Sequence, residues 1–341
     1  MLDLTNIQTI KSILKDNRLW AKKTLGQNFL LSQKILDKIV ETAELSEKDT
    51  VIEIGPGLGT LTQELAKYAK LVLAIEKDYG YVEWLRKYFK NNKNVKIIHE
   101  DILKFSIFNF QFSNNFQTNK FSNYKVVSNL PYNITSPTIR KFLEAEDFAR
   151  LSQKDVHSIG ASLPYLRNAP SNGVSDPLFA SKLAPTLSPY NPICLQPSSM
   201  VFTVQKEVAE RICAQPGNSE RGLLTVMVEF YADAEIIDMV SRDNFWPVSR
   251  VDSAIIKITS KHLNIKTIDP KSFFRIVKIG FSQKRRKIVN PLAAGLHLSK
   301  DEIIDILKEA KIDPNLRAED LSLENWKKLS QTINSSLEIE N

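Results

Sequence analysis

Cysteine is almost missing from this chain, with only Cys194 and Cys213 among 341 residues. Two thiols so placed form neither a metal-ligand pattern nor a disulfide framework. Histidine is nearly as scarce: His99, His157, His262 and His297 are scattered along the sequence, which argues against a zinc centre or a histidine-based triad. No apolar run approaches the ~20 residues of a membrane span. The first residues also lack the cationic stretch and apolar core of a secretory signal, so the expectation is a soluble, cytoplasmic protein. Acidic side chains are thin in one stretch, where Arg242 to Lys300 hold thirteen Lys or Arg against three Asp. A solvated face would account for that block; so would an electrostatic footprint for a polyanion, of which nucleic acid is the commonest. Apolar residues, by contrast, are plentiful. With 43% hydrophobic residues, 25% charged residues and a net charge of +7, the chain can bury a substantial core, as two domains or one with an appendage.

The apolar pattern has an order. A helical stretch, Gln33 to Glu44, leads to the strand T-V-I-E-I, the glycines of G-P-G-L-G-T and a helical pattern from Leu61 to Tyr68. The strand L-V-L-A-I-E then ends on Glu76, and a helix runs through Phe89. V-K-I-I-H stops before Glu100 and Asp101, and Y-K-V-V-S delivers Asn129, Leu130, Pro131 and Tyr132. Strands alternating with helices predict an α/β fold with a parallel, doubly wound sheet. Later strands are expected at 200–204, 225–231 and 252–258, and periodic segments near 271–280, 299–310 and 324–334 suggest a small helical domain. The division expected is 1–262 and 263–341. Two stretches interrupt the order. Residues 105–123 are rich in Phe and Asn and read as a loop expansion. Residues 149–199 hold seven prolines and nine serines but six charged residues, a composition that suits a disordered or loosely attached insertion.

In a doubly wound sheet, ligands lie beyond the carboxyl ends of the strands, where the winding reverses. Four strands here end on candidate groups. The first gives Glu53, then Gly55, Gly57 and Gly59, where a backbone without Cβ atoms can approach a ligand. The second ends on Glu76, 21 residues after Gly55, the spacing at which a carboxylate meets a ribose diol. The third leads to Asp101, placed to accept from an adenine-like amino group. A nicotinamide dinucleotide would share the ribose carboxylate. Yet the turn is G-P-G-L-G, not the G-x-G-x-x-G that aims a helix at a pyrophosphate. S-adenosylmethionine, an adenosine without phosphate, fits better. Asn129 and Pro131 are also ordinary turn residues. Following that ordered set, however, they suit methylation of an adenine N6. The N6 lone pair is delocalised, and acceptors at Asn129 Oδ1 and the Leu130 carbonyl would draw it towards a nucleophilic geometry. Pro131 aims that carbonyl, and Tyr132 offers a flat face for an unstacked base.

These motifs closely resemble those of the ribosomal RNA small-subunit adenine-N6,N6-dimethyltransferase family. The resemblance runs through K-K-T-L-G-Q-N-F-L, E-I-G-P-G-L-G-T-L-T, A-I-E-K-D, H-E-D-I-L and N-L-P-Y-N-I-T-S-P. It resumes at V-Q-K-E-V-A-E-R-I, R-G-L-L-T-V, V-D-S-A-I and F-S-Q-K-R-R-K. It implies a Rossmann-like S-adenosylmethionine-dependent methyltransferase sheet with a small C-terminal all-α domain. It also implies cofactor contacts at Asn28, Leu30, Gly55, Glu76, Asp101 and Asn129, with base handling at Asn129, Leu130, Pro131 and Tyr132. The implied substrate is a pair of adjacent adenines near the 3′ end of small-subunit rRNA, in the immature 30S subunit. The cationic run Lys284, Arg285, Arg286 and Lys287 is expected to grip RNA, and the protein to act as a monomer without metal. Related readings are a large-subunit adenine methyltransferase of the macrolide-resistance type, a non-catalytic assembly factor and a DNA adenine methyltransferase. Two departures stand out. Ser249 occupies a position where the family usually has proline, which is expected to loosen the loop beside the site, and residues 149–199 have no known counterpart.

Overall fold

The computed structural model describes residues 2–21, 27–105, 124–144, 196–261 and 268–339. The 105–123 expansion after Phe105, and the 149–199 segment up to residue 195, lie outside the described residues. Residues 196–199 do not belong with the insertion: Ser199 opens a strand, and Gln196 Nε2 donates to the Leu143 carbonyl at 2.5 Å.

The main sheet is built from β2 (Thr50–Ile54), β3 (Leu71–Glu76), β4 (Val95–His99), β5 (Tyr124–Asn129), β6 (Ser199–Gln205), β7 (Ala232–Val240) and β9 (Ser253–Ser260). The order across it is β4-β3-β2-β5-β6-β9-β7. The first five are parallel, while β9 runs antiparallel to both β6 and β7. Winding therefore reverses between β2 and β5. All five β2 residues are buried, as a strand covered on both faces requires. Alternate residues face opposite layers. Val51, Val72, Val127 and Val201 meet Ile35, Leu36 and Ile39 of α2 (Gln33–Ala43). Ile52, Ile54, Val126 and Phe202 face the layer of Ile139, Phe142 and Leu143 from α5 (Thr135–Leu143). Helices α1 (Ile7–Asp16), α3 (Thr60–Leu65) and α4 (Tyr79–Tyr88) lie in the first half of the chain, and α6 (Lys206–Ile212) follows β6. The sequence pattern gave no sign of α1.

One expected strand is a helix. The run T-V-M-V-E-F-Y lies in α7 (Leu223–Tyr231), and the strand that follows it, β7, was not anticipated. The β-branched and aromatic run reads as a strand because α7 is covered nearly all round, so no polar face breaks the apolar stretch. Its cover includes α8 (Pro270–Gly280) and α11 (Leu323–Ile339), which, with α9 (Val289–Leu296) and α10 (Lys300–Glu309), form the C-terminal helical region. The rings of Phe230 and Phe273 meet tilted, 4.7 Å between centroids, and the fully buried Trp326 leaves no room for a Cβ at Gly280. Start signals are local: Asp269 caps α8 ahead of Pro270, and Ser299 with Glu302 forms a capping box on α10. Arg221, with no exposed surface, ties these layers together. Its guanidinium holds both Glu229 carboxylate oxygens at 2.6 Å and donates to the carbonyls of Ala214 and Leu321.

Candidate active site

The reversal between β2 and β5 brings two turns side by side. After β2 the chain passes Gly55 and Gly57 with φ of 62° and 58°, values that favour glycine. Space demands glycine as well. A Cβ on Gly55 would come within 3.3 Å of Pro131 Cγ, and one on Gly57 within 3.2 Å of Phe29 Cε1. The glycine turn is thus wedged between the tetrapeptide after β5 and the N-terminal motif. That motif is placed by a two-residue ladder, β1 (Phe29–Leu30) against β8 (Phe245–Trp246).

Gly55, Glu76, Asp101, Asn129, Leu130, Pro131 and Tyr132 line one cleft with Asn28 and Leu30. Glu76 is 5% exposed. One of its oxygens accepts from Gly57 N at 3.2 Å and the other from Asp78 N at 2.8 Å. Burial pushes its carboxyl up, and those backbone donors pull against the shift. Asp101 accepts from Leu103 N at 3.0 Å and pairs with Lys77 at 2.9 Å, and the Lys77 ammonium holds its carboxyl below the usual range. Asn129 donates from Nδ2 to the Asn28 carbonyl at 3.1 Å, which orients Oδ1 as its acceptor. Leu130 N donates to the Thr203 carbonyl at 3.2 Å, and Ser128 Oγ ties β5 to the Ile54 carbonyl at 2.6 Å. The floor of the cleft is therefore held by strands from both halves of the sheet.

Three residues add to the sequence reading: Lys77, which it missed, and Glu53 and Ser249, which it named without the surroundings found here. Lys77 follows Glu76 directly, and that adjacent charge at a strand end was the available signal. Glu53 is 2% exposed, and its Oε2 has no hydrogen-bond partner among the described residues; burial and then the Glu76 charge push its carboxyl up to about 8. The third is Ser249. Instead of loosening its loop it is buried, accepts a contact from the Val251 amide and donates to the Val251 carbonyl at 2.9 Å, while Tyr132 Oη lies 3.2 Å away. Lys284, Arg285, Arg286 and Lys287 stand apart from the cleft residues named here. They are exposed in the turn between α8 and α9, not on a helix, with Lys284 bonded to the Ser219 carbonyl and Lys287 to Asn315.

The doubly wound sheet, the glycine turn at its reversal and the polar strand ends define a Rossmann-like methyltransferase fold. The chain belongs to the ribosomal RNA adenine dimethylase family, whose model matches residues 18–335. It is 38% identical over 320 residues, 94% of this chain and 90% of the relative, to ribosomal RNA small subunit methyltransferase A of Dehalococcoides mccartyi. Two solved structures share the fold. A dimethyladenosine transferase from Plasmodium falciparum has a TM-score of 0.63 at 23% identity, covering 90% of this chain and 97% of its own. The 23S rRNA methyltransferase ErmE has a TM-score of 0.59 at 21% identity, covering 90% and 100%.

Proposed function

We propose that this protein dimethylates N6 of two adjacent adenines in the 3′-terminal hairpin of small-subunit (16S) rRNA, using S-adenosylmethionine. The observation that carries this reading is the placement of Asn129–Leu130–Pro131–Tyr132 against the glycine turn, across the reversal of the sheet, in one cleft with Glu76 and Asp101. The small-subunit name of the Dehalococcoides relative supports 16S over 23S rRNA as the substrate.

The residues fit the cofactor. Bare backbone at Gly55 and Gly57 lets the turn pack against Pro131 and Phe29 and line the cleft with backbone. Glu76, with one backbone bond on each oxygen, retains lone pairs for a ribose diol. Asp101 is positioned for an adenine amino group, in exchange with Lys77, and Asn28 and Leu30 close the near wall. When bound, S-adenosylmethionine supplies an electrophilic methyl group. The chain's own work is on the base. Asn129 Oδ1, fixed by the bond from Nδ2 to Asn28, and the Leu130 carbonyl accept the two N6 hydrogens, and Tyr132 supports the ring. Positioning and fixed dipoles carry the catalysis. Lys284 to Lys287 contact RNA phosphates. The same reading makes the immature 30S subunit the partner of a cytoplasmic monomer, with the catalytic part in residues 1–262 and RNA gripped by 263–341.

Methyl transfer from labelled cofactor to 16S rRNA, 23S rRNA and immature small subunits tests it, with the modified base mapped. Incorporation at adjacent adenines of the 16S 3′ hairpin is expected. Incorporation confined to 23S rRNA, or none with the cofactor bound, would overturn the reading.

A further inference from the structure

Tyr132 is held at both ends. Its backbone opens the short 3-10 turn Tyr132–Ile134, and its phenol reaches the segment around the start of β9, more than a hundred residues on. There Oη lies 2.7 Å from Ser253 Oγ and 3.2 Å from Ser249 Oγ. Both serines are buried, at 0% and 5% exposure. Each of the three hydroxyls has one proton to donate. Ser249 donates its own to the Val251 carbonyl at 2.9 Å, so the contact with Tyr132 requires the phenol as donor. Tyr132 has then no proton left for Ser253, and the shortest contact must be Ser253 donating to the phenol. The three contacts are satisfied together by one directed chain: Ser253 to Tyr132, Tyr132 to Ser249, Ser249 to the Val251 carbonyl.

We propose that Ser249 and Ser253 are positioning residues for the base-stacking face, fixing where the Tyr132 ring stands before RNA arrives. The proposal rests on the reading of Tyr132 as that face. A tyrosine side chain turns about two torsions, and its ring is half-buried at the cleft. Fixing the phenol oxygen from a buried segment on the far side sets the first torsion, and the preference of the phenol O–H for the ring plane biases the second, so the base bears less of the cost of ordering its platform. Ser249 is the link that accepts from the phenol and passes the chain on to the Val251 carbonyl. Proline there would offer no such acceptor, and the phenol proton would turn back to Ser253.

A mutant cycle separates this role from a purely structural one. Ser249→Ala should raise the KM for 16S rRNA about fivefold, the size expected of one hydrogen bond, with kcat and the cofactor Kd unchanged. Ser253→Ala should do the same or more. Tyr132→Phe should show the same split, and Ser249→Ala in the Tyr132→Phe background should add nothing, because both act through one phenol. An unchanged KM in both serine variants, or effects that multiply in the double variant, would overturn the chain. Tyr132→Ala distinguishes the levels. If it inactivates the enzyme while the serine variants are silent, the chain alone fails; if it leaves rRNA methylation intact, the stacking role fails and takes the chain with it.

Discussion

Glu53 is a buried cleft carboxylate with one oxygen that nothing among the described residues hydrogen-bonds. Its carboxyl is raised from 4.5 to about 8, first by burial and then by the Glu76 charge. A folded-state pKa above the unfolded one means that the native state holds a proton the unfolded chain has released. Stability therefore falls as pH rises from about 4.5 through about 8, and the cost is full above that range. Glu53→Gln should raise the melting temperature of the ligand-free protein at about pH 9 and change it little at about pH 5; calorimetry at the two pH values checks both. Asn129 answers to a different measurement. If it acts on the reacting nitrogen as proposed, its removal should lower kcat about 100- to 1000-fold, by analogy with loss of one oxyanion-hole donor, while cofactor affinity falls only moderately. Near-normal turnover in purified Asn129→Ala would refute its role. Glu76→Ala should instead raise the cofactor Kd and recover part of its rate at high cofactor, since its carboxylate is assigned to the ribose. Titration calorimetry showing unchanged affinity would remove that assignment.

Elements were legible where their signals are local. The glycine turn, the carboxylates at the strand ends and the tetrapeptide after β5 are contiguous in sequence, and the structure brings them to one cleft. Contacts between remote segments left no such mark. Ser253 reads as an ordinary residue of the expected strand 252–258, and nothing in its neighbours announces a tyrosine partner 121 residues away. Helix α7 was misread for another reason: buried on nearly every side, it shows no period, and its Val, Phe and Tyr side chains favour a strand until packing overrides them. The Arg221–Glu229 pair could not be read either, though it joins α7 to the turn before α11. Because the arginine is fully buried, Arg221→Leu should destabilise the fold by about 3–5 kcal/mol through the partner left unpaired, measured by urea unfolding. At the turn after α8, neutralising Lys284 and Arg285 together should reduce the salt slope of rRNA binding by roughly two, with cofactor affinity unchanged. An unaltered slope would leave the run as a solvated surface.

Over the whole molecule, the atypical segment enters after α5 and leaves before β6. Parallel pairing of β5 and β6 puts that junction at the amino edge of the sheet, opposite the cleft. Gln196 and Leu143 clasp its two ends. Replacing residues 149–195 with a short Gly/Ser linker should therefore preserve both the melting temperature and rRNA methylation, and loss of activity with the cofactor still bound would show that the segment takes part. The order of assembly is set by the other end of the sheet. Strand β9 slots between β6 and β7, although it follows both in the chain, and β8 supplies the partner of β1. A nascent chain that has emerged only as far as β7 holds the glycine turn and the tetrapeptide. It still lacks the rung that seats Phe29 and Leu30, and the segment that anchors Tyr132. The cleft's last supports, for Phe29 and Leu30 and for Tyr132, are therefore supplied only by residues that follow β7 in the chain.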